Sequence, residues 1–242
     1  MHENIIITAA NDKFHHSLLT LIASIHRNSF ELIDKIYVFN LGLSKNVIKE
    51  ISRKKVEVVN LPEHVNKNPK DYAFKCFGNY WAQKHAKHCL WLDAGVMLLK
   101  PIYEIFKKIQ EEDIFLVGDI HKNSAYTSRS CAKIMNASKQ ELNDKQLSAG
   151  ILGYKCGGKY QKLIDEAYEF SKIKECISGN DNNHRQDQSI YSILASRYKC
   201  NRQDIDTYGY WTDSKRNINT AKKHGSVIFV HRNGHWDFKG LK

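Results

Sequence analysis

The sequence predicts an α/β protein with a mainly parallel, doubly wound central sheet. Short β-branched and apolar segments alternate with segments whose apolar residues repeat at helical spacing. Regular alternation of this kind is typical of parallel sheets covered by helices on both faces. No internal repeat, low-complexity tract or Pro/Gly/Ser-rich linker interrupts it, so we expect one domain over residues 1–242.

The elements follow in order along the chain. The apolar, β-branched segments predict strands at residues 4–9, 35–42, 56–61, a segment ending at Asp93, 114–119, 148–155 and 226–232. Apolar residues at helical spacing predict helices at 18–25, after a cap at Ser44, at 74–85, after Pro101, at 163–170 and at 184–198. Residues 120–147 are polar and weakly periodic, which predicts an insertion or excursion that carries substrate contacts.

Composition bounds the class of protein. The chain has 242 residues, 42% of them apolar, which is enough to fill a substantial core. Lys and Arg number 37 against 26 Asp and Glu, and the resulting charge of +11 favours anionic partners such as nucleotides, nucleic acid or an acidic membrane surface.

Two features that the sequence lacks bear on the cellular location of the protein and on the state of its cysteines. The N-terminus has no basic segment before its brief apolar run, and no apolar stretch approaches the roughly 20 residues that span a bilayer, so we expect a soluble, cytoplasmic protein. The six cysteines include no Cys-x-x-Cys pair, which favours free, mostly buried thiols over a zinc site or a disulfide framework.

Polar residues just past predicted strands indicate a binding site. Asn11, Asn40, Asp93 and Asp119 all occupy such positions, and ligands of doubly wound sheets bind at the carboxyl ends of the strands. The first strand is followed by TAANDKF and not by Gly-x-Gly-x-x-Gly, so a dinucleotide fingerprint is absent. A nucleotide would therefore be held by side chains such as Asn11 and Asp12.

Several segments, taken together and in order, resemble the GT-A nucleotide-sugar glycosyltransferases, most closely the glycosyltransferase family 8-like branch. They are IIITAANDKFHHSLLTLIASI, YVFNLGLSKNVIKEI, DYAFKCFGNYWAQKHAKHCLWLDAGVMLLKPI, SAGILGYK, RQDQSIYSIL and VIFVHRNGHWDFKG. The resemblance covers most of the chain. It implies a GT-A-type domain and transfer of a sugar, with a UDP-sugar favoured as donor, to a saccharide or glycolipid hydroxyl.

One segment departs from the family. WLDAGVMLLKP has Gly95 where relatives carry the second carboxylate of Asp-x-Asp, the pair that holds one divalent cation against the donor diphosphate. His231 matches the histidine that completes the metal site in the family, so Asp93 and His231 remain as two ligands. Manganese or magnesium dependence is left open, because basic side chains could neutralise the diphosphate instead. His235, on the same loop, is a lesser candidate.

The resemblance also implies roles for individual residues. It assigns Ala9, Asn11, Asp12 and Asn40 to the nucleoside, Lys75, Asp93 and His231 to the diphosphate, and Asp119, Asp187 and Gln188 to the transferred sugar. Retention would follow, with Gln188 beneath the anomeric carbon; an inverting enzyme would need a carboxylate base, with Asp119 or Asp187 the candidates.

Each of these residues also has a structural interpretation. Asp93 could begin a turn, Asp187 could stabilise a helix dipole, His231 could be a hydrogen-bonded strand-end histidine, and Lys75 could be a solvated helix residue. His85 and His88, one helical turn apart, lack a third ligand nearby and are interpreted as surface or packing residues.

The sequence is also compatible with two other functions. The basic, Tyr-containing segment 197–216 and the charge of +11 are compatible with nucleic-acid binding, although no recognised module is present. Gly95 could instead mark a non-catalytic relative that binds sugar nucleotides. For a transferase, family resemblance suggests polysaccharide or lipopolysaccharide assembly, with peripheral attachment to the anionic inner face of a membrane.

Overall fold

The computed structural model describes residues 1–68, 70–180, 182–231 and 236–242. Its strands are β1 (His2–Ala10), β2 (Lys35–Asn40), β3 (Val56–Asn60), β4 (Ala86–Leu92), β5 (Val96–Leu98), β6 (Ile114–Lys122), β7 (Lys145–Lys155), β8 (Tyr210–Trp211) and β9 (Ile228–Val230). Its helices are α1 (His15–Ser29), α2 (Lys45–Ile51), α3 (Ala73–Ala82), α4 (Tyr103–Glu112), α5 (Asn123–Tyr126), α6 (Arg129–Ile134), α7 (Lys139–Asn143), α8 (Gln161–Ser171), α9 (Lys174–Ile177), α10 (Gln186–Arg197), α11 (Ile205–Tyr208) and α12 (Ile218–His224).

The central sheet has six strands in the order β3-β2-β1-β4-β7-β6. Strands β3, β2, β1 and β4 run parallel, and β7 is antiparallel to both of its neighbours, β4 and β6. A smaller sheet in the order β5-β9-β8 lies beyond β4 in the chain. The predicted α/β class with a mainly parallel sheet is confirmed.

The sheet is covered on both faces, because successive side chains of a strand point to opposite sides. In β1, Ile5 and Ile7 join an apolar layer with residues of α3, α8 and α10, whereas Ile6 joins a second layer with residues of α1, α2 and α4. This arrangement is the doubly wound architecture expected from the sequence. It places polar groups at the strand ends, outside either apolar layer.

One expected helix boundary is confirmed by the structure and another is wrong. Ser44 caps α2 as predicted, with its side chain accepting a hydrogen bond from the Val47 amide at 3.4 Å. The helix expected at 74–85 ends at Ala82, however, and His88 lies in β4. His85 stacks on Trp81 at 3.6 Å and His88 Nδ1 lies 3.1 Å from Asn4 Oδ1, so both histidines pack in the fold but not on one helix.

The excursion expected at 120–147 is shorter than predicted. Strand β6 continues to Lys122, three short helices follow, and β7 begins at Lys145. Asp119 therefore lies within β6 and not past its end. The apolar pattern fades because the second half of β6, at the edge of the sheet, carries Asp119, His121 and Lys122 at partly or fully exposed positions. Likewise, of the strand expected at 226–232, the described residues form only Ile228–Val230, which belongs to the smaller sheet; position 232 lies outside the described residues.

Two further expectations can be compared with the structure. All six cysteines are free, and five of them are buried, as the absence of paired spacing predicted. No helix in the described ranges combines the length and the apolar character that crossing a bilayer requires.

Candidate active site

The sheet topology defines a crevice between β1 and β4. From β1 the chain runs outward through β2 and β3, then returns to place β4 on the opposite side of β1. The loops that leave two such neighbouring strands diverge, and this point of reversal is where doubly wound sheets bind ligands. Asn11 follows β1 and Asp93 follows β4, so the structure places two of the predicted residues at this crevice.

Asp93 is part of a cluster with Lys75 and Asp187. Lys75 Nζ lies 3.1 Å from Asp93 Oδ1 and 3.0 Å from Asp187 Oδ2, and it donates a hydrogen bond to the Ala149 carbonyl at 3.2 Å. Trp91 Nε1 donates to Asp93 Oδ1 at 2.6 Å. Three predicted residues that are distant in sequence therefore meet around one ammonium group.

Burial differs sharply within this cluster. The side chains of Lys75 and Asp187 are 3% and 4% exposed, whereas that of Asp93 is 39% exposed. The solvated-lysine interpretation of Lys75 is therefore wrong. A fully solvated helix residue would not be enclosed by two carboxylates and a carbonyl oxygen.

The charges of the cluster depend on one another. Burial raises the pKa of Asp187 from 3.8 to about 6, although attraction to Lys75 opposes this rise. Burial would lower the pKa of Lys75, but attraction to Asp187 and then to Asp93 raises it above its usual value. The ammonium of Lys75 thus lies between two carboxyl groups, of which only that of Asp93 faces solvent to any extent.

Both helices that deliver this cluster begin with a strained residue. Tyr72, just before α3, has φ of 54°, and Gln186, the first residue of α10, has φ of 39°. Left-handed backbone in non-glycine residues costs of order 1–3 kcal/mol and persists only where the surrounding structure enforces it. The strain occurs one residue before Asp187 and three before Lys75, and the sequence contained no signal for it.

A glycine makes room for Asp93. The Asp93 amide donates to the Gly150 carbonyl at 2.9 Å, and a Cβ on Gly150 would lie 2.9 Å from Asp93 Oδ2. Any side chain at position 150 would therefore displace the carboxylate. The motif SAGILGYK contributes Gly150 to the site, and the Ala149 carbonyl accepts from Lys75.

The residues available for a divalent metal are few. A Cβ on Gly95 would meet nothing within 4 Å, so the second carboxylate of Asp-x-Asp is absent from a position with open space. His231 is buried, and its amide donates to the Gly95 carbonyl at 2.9 Å, which places its backbone against the loop that follows Asp93. Within the described ranges no three His, Cys, Asp or Glu side chains are grouped to hold a metal ion. This donor set does not form a protein-built metal site, and His235 lies outside the described residues.

A second polar cluster surrounds Gln188. Its side chain donates from Nε2 to Gln146 Oε1 at 3.0 Å, and Arg185 Nη1 donates to the same oxygen at 3.3 Å. Arg185 Nη1 also donates to Asp119 Oδ2 at 3.1 Å, while Asp119 Oδ1 lies 2.7 Å from His121 Nδ1. Asp119 and Gln188, both predicted, are thus joined by two residues that sequence reasoning missed. Gln146 carried no signal of this role in the sequence, because it lies in the segment expected to be an excursion and only the structure shows that it is buried in β7.

The predicted nucleoside residues divide into two groups. Asn40 Oδ1 accepts hydrogen bonds from the Gly42 and Leu43 amides at 2.9 and 2.7 Å, and Asp12 Oδ1 accepts from the Ser44 amide at 2.7 Å. These oxygens therefore shape the loops after β1 and β2. Asn11 Oδ1 differs, because it is buried without a hydrogen-bond partner among the described residues. Ala9 pairs with Phe39 across β1 and β2 and packs, partly buried, against one of the apolar layers.

Comparison of the sequence with protein-family models and with curated proteins gave no match. Solved structures do resemble it. The apo bifunctional glycosyltransferase WbbM has a TM-score of 0.66 at 13% identity over 98% of this chain and 46% of that one, so this chain spans just under half of WbbM. Galactosyltransferase LgtC, in complex with donor and acceptor sugar analogues, has a TM-score of 0.56 at 15% identity over 96% of this chain and 88% of LgtC.

A third likeness is to core-mannan synthase A of Aspergillus fumigatus in its Mn/GDP form, with a TM-score of 0.56 at 10% identity over 81% of this chain and 70% of that one. Another LgtC structure carries an active-site glutamine-to-glutamate substitution. At these identities the likeness establishes the fold. The chain has the fold of the GT-A glycosyltransferases.

Proposed function

We propose that this protein is a glycosyltransferase that moves a sugar from a nucleotide-diphosphate donor, with a UDP-sugar favoured, to a saccharide or glycolipid hydroxyl. The observation that carries the proposal is the cluster of Lys75, Asp93 and Asp187, next to Gln188, at the reversal point of a GT-A sheet. Structures of LgtC with donor and acceptor analogues, and of core-mannan synthase A with GDP, support this class of ligand.

Lys75 acts on the donor through Asp93. Its Nζ is enclosed by Asp93, Asp187 and the Ala149 carbonyl, so it does not reach a diphosphate directly. With its charge balanced by the ammonium, the partly exposed Asp93 can accept hydrogen bonds from donor hydroxyl groups with less repulsion of the diphosphate. Asn11, with a buried oxygen that lacks a partner among the described residues, is the residue we assign to the nucleoside.

The geometry favours retention over inversion. An inverting enzyme needs an available carboxylate to take the proton of the acceptor hydroxyl. Asp187 is enclosed in its ion pair with Lys75, and both oxygens of Asp119 are occupied by His121 and Arg185. Gln188, partly exposed at the start of α10, is then the polar group we place beneath the anomeric carbon. An active-site glutamine in LgtC is compatible with that role.

A divalent metal enters no part of this mechanism. Asp93 is already bonded to Lys75 and Trp91, and Gly95 supplies no carboxylate. The described donors therefore fit a metal poorly, and the dependence on manganese or magnesium is decided by the experiment below.

The cellular setting is also proposed. The charge of +11 suits a cytoplasmic enzyme that associates with an anionic membrane bearing a lipid-linked acceptor, in polysaccharide or lipopolysaccharide assembly. Sedimentation with anionic vesicles at low salt, and its loss at high salt, is the expected result. Failure to bind such vesicles at any salt concentration contradicts peripheral attachment.

The first test is a thermal-shift and calorimetric screen of UDP, GDP, CMP and their sugars, with and without manganese. We expect one nucleotide to stabilise the wild type and to bind more weakly to Asp93→Asn. Glu111→Ala, which removes an exposed carboxylate from α4, is the matched control and should bind as the wild type does. Stabilisation by no nucleotide under any condition would refute the transferase proposal.

Turnover separates the enzyme from a sugar-nucleotide-binding relative, the alternative that Gly95 raises. Transfer or slow hydrolysis of the bound sugar nucleotide is expected of the enzyme. Binding without either reaction, for every acceptor tried, supports the binding protein.

A further inference from the structure

We propose that a hydrogen-bonded chain from Asp119 through Arg185 and Gln146 fixes the side-chain amide of Gln188, so that its carbonyl oxygen Oε1 faces the transferred sugar. The orientation follows from the residues themselves. The identity of the group that Oε1 faces rests on the proposed function.

Arg185 is the fixed reference of this chain. Its Nη1 donates to Asp119 Oδ2 at 3.1 Å and to Gln146 Oε1 at 3.3 Å, and its guanidinium carbon lies 3.6 Å from the centre of the Tyr126 ring. A guanidinium group only donates hydrogen bonds and stays protonated in proteins. The atom of Gln146 that faces Nη1 must therefore be the carbonyl oxygen.

Gln146 transmits this constraint to Gln188. A carbonyl oxygen can accept two hydrogen bonds, and Gln146 Oε1 also lies 3.0 Å from Gln188 Nε2. Because an oxygen faces Gln188, the atom of Gln188 that faces it must be the NH2 nitrogen. Gln188 Oε1, the other terminal atom of the same planar amide, then points away from Gln146.

The observed orientation of the Gln146 amide leaves one buried hydrogen-bond donor unsatisfied. Gln146 is 0% exposed, and its Nε2 is buried without a hydrogen-bond partner among the described residues. Leaving a buried donor unsatisfied costs about 1–3 kcal/mol. Rotating this amide alone would set its NH2 against the donors of Arg185 and Gln188 and lose two hydrogen bonds. Rotating it together with Gln188 would still set the NH2 against Arg185, which can only donate, so the observed orientation is the better one.

The consequence is electrostatic. Positive charge develops at the anomeric carbon as the donor bond breaks, and a carbonyl oxygen held toward that carbon stabilises the charge without moving during the reaction. An NH2 group in the same place would repel it. Gln146 and Arg185 are accordingly positioning residues, since they act through Gln188 and need not touch the substrate.

The test compares two replacements of Gln146. Gln146→Glu keeps an acceptor oxygen for both Arg185 and Gln188, whereas Gln146→Met keeps the approximate volume and removes the acceptor. We expect Gln146→Met to lower kcat by about tenfold or more with KM and nucleotide affinity changed by less than about threefold, and Gln146→Glu to stay within about threefold of the wild type. Asn123→Leu, which removes another fully buried amide, controls for general loss of stability.

A second measurement needs no activity. The side-chain amide resonances of Gln188, assigned by their loss in Gln188→Glu, report whether one N–H is hydrogen-bonded to Gln146. They should shift in Gln146→Met and much less in Asn123→Leu. Unshifted resonances in Gln146→Met, or equal kcat values for the Met and Glu variants, overturn this proposal. If no donor binds the wild type, the proposed function fails while the resonances still decide the orientation.

Discussion

Replacing Lys75 with methionine removes the ammonium that lies between Asp93 and Asp187 and keeps most of the side-chain volume. Asp187 then remains buried without its cation, because Arg185, its neighbour in sequence, is engaged by Asp119 and Gln146. In the wild type the pKa of Asp187 is about 6, with burial raising it and Lys75 opposing the rise. Without Lys75 this pKa must increase further.

The sign of the pH dependence follows from proton binding. Between the unfolded pKa and the higher folded pKa, the folded protein binds more protons than the unfolded chain, so stability falls as pH rises. For wild-type Asp187 that fall begins near 3.8 and is complete once the pH exceeds about 6. For Lys75→Met it continues above pH 6, by about 1.4 kcal/mol for each pH unit until the new pKa is reached.

Urea unfolding at pH 6, 7 and 8 measures this difference. The destabilisation of Lys75→Met relative to the wild type should grow by up to about 3 kcal/mol from pH 6 to pH 8. Lys75, the one other titrating group that the two proteins do not share, has a pKa raised above its usual value and stays protonated over this range. The double variant Lys75→Met/Asp187→Leu lacks the carboxyl group and should show no such growth. A destabilisation that is the same at all three pH values would refute the assigned burial and pairing of Asp187.

Three further changes test the same site. Relative to the wild type, the stability of Asp187→Asn should increase by about 2 kcal/mol between pH 4 and pH 6, because only the wild type loses a proton from a buried carboxyl in that range. Urea unfolding at both pH values measures this change, and a constant difference contradicts it. Gly150→Ala should weaken nucleotide binding by about tenfold in calorimetry, because its Cβ would lie 2.9 Å from Asp93 Oδ2. The control Gly95→Ala, whose Cβ meets nothing within 4 Å, should bind nucleotide as the wild type does. Equal affinities of the two variants would count against the role of Asp93. Gly95→Asp should introduce manganese-dependent nucleotide binding, since it adds a second carboxylate in open space near Asp93. If the nucleotide affinity of this variant is the same with and without manganese, position 95 does not face the ligand.

Much of the architecture could be predicted from local patterns. The alternation of apolar strands and amphipathic helices predicted the parallel sheet, and Asp93 at the end of β4 was predicted to reach the ligand edge. The full length of edge strand β6 was harder to predict, because polar residues at its exposed positions break the apolar pattern. Residues 120–147 were therefore expected to form an excursion. The helix expected to reach His85 ends at Ala82, since the chain must turn there to enter β4.

The pairings within the site could not be predicted in the same way. Lys75 and Asp187 are 112 positions apart, and whether either was buried depended on α3 and α10 packing on the same face of the sheet. Gln146 lay in the segment expected to be an excursion, and Arg185 opens the segment RQDQSIYSIL but had no role assigned to it. Both matter because β7 and the start of α10 bring them to Asp119 and Gln188.

The sequence by itself determined the class of fold, the strand ends that carry polar residues and the absence of a second carboxylate at Gly95. Periodicity and composition encode these features because they depend on residues that are neighbours in the chain. The tertiary structure alone decided which charges are paired, which carboxylates are buried or hydrogen-bonded and which atom of the Gln188 amide faces Gln146. Those properties depend on burial and on contacts between distant segments, and they exist only once the sheet and its helices have packed together.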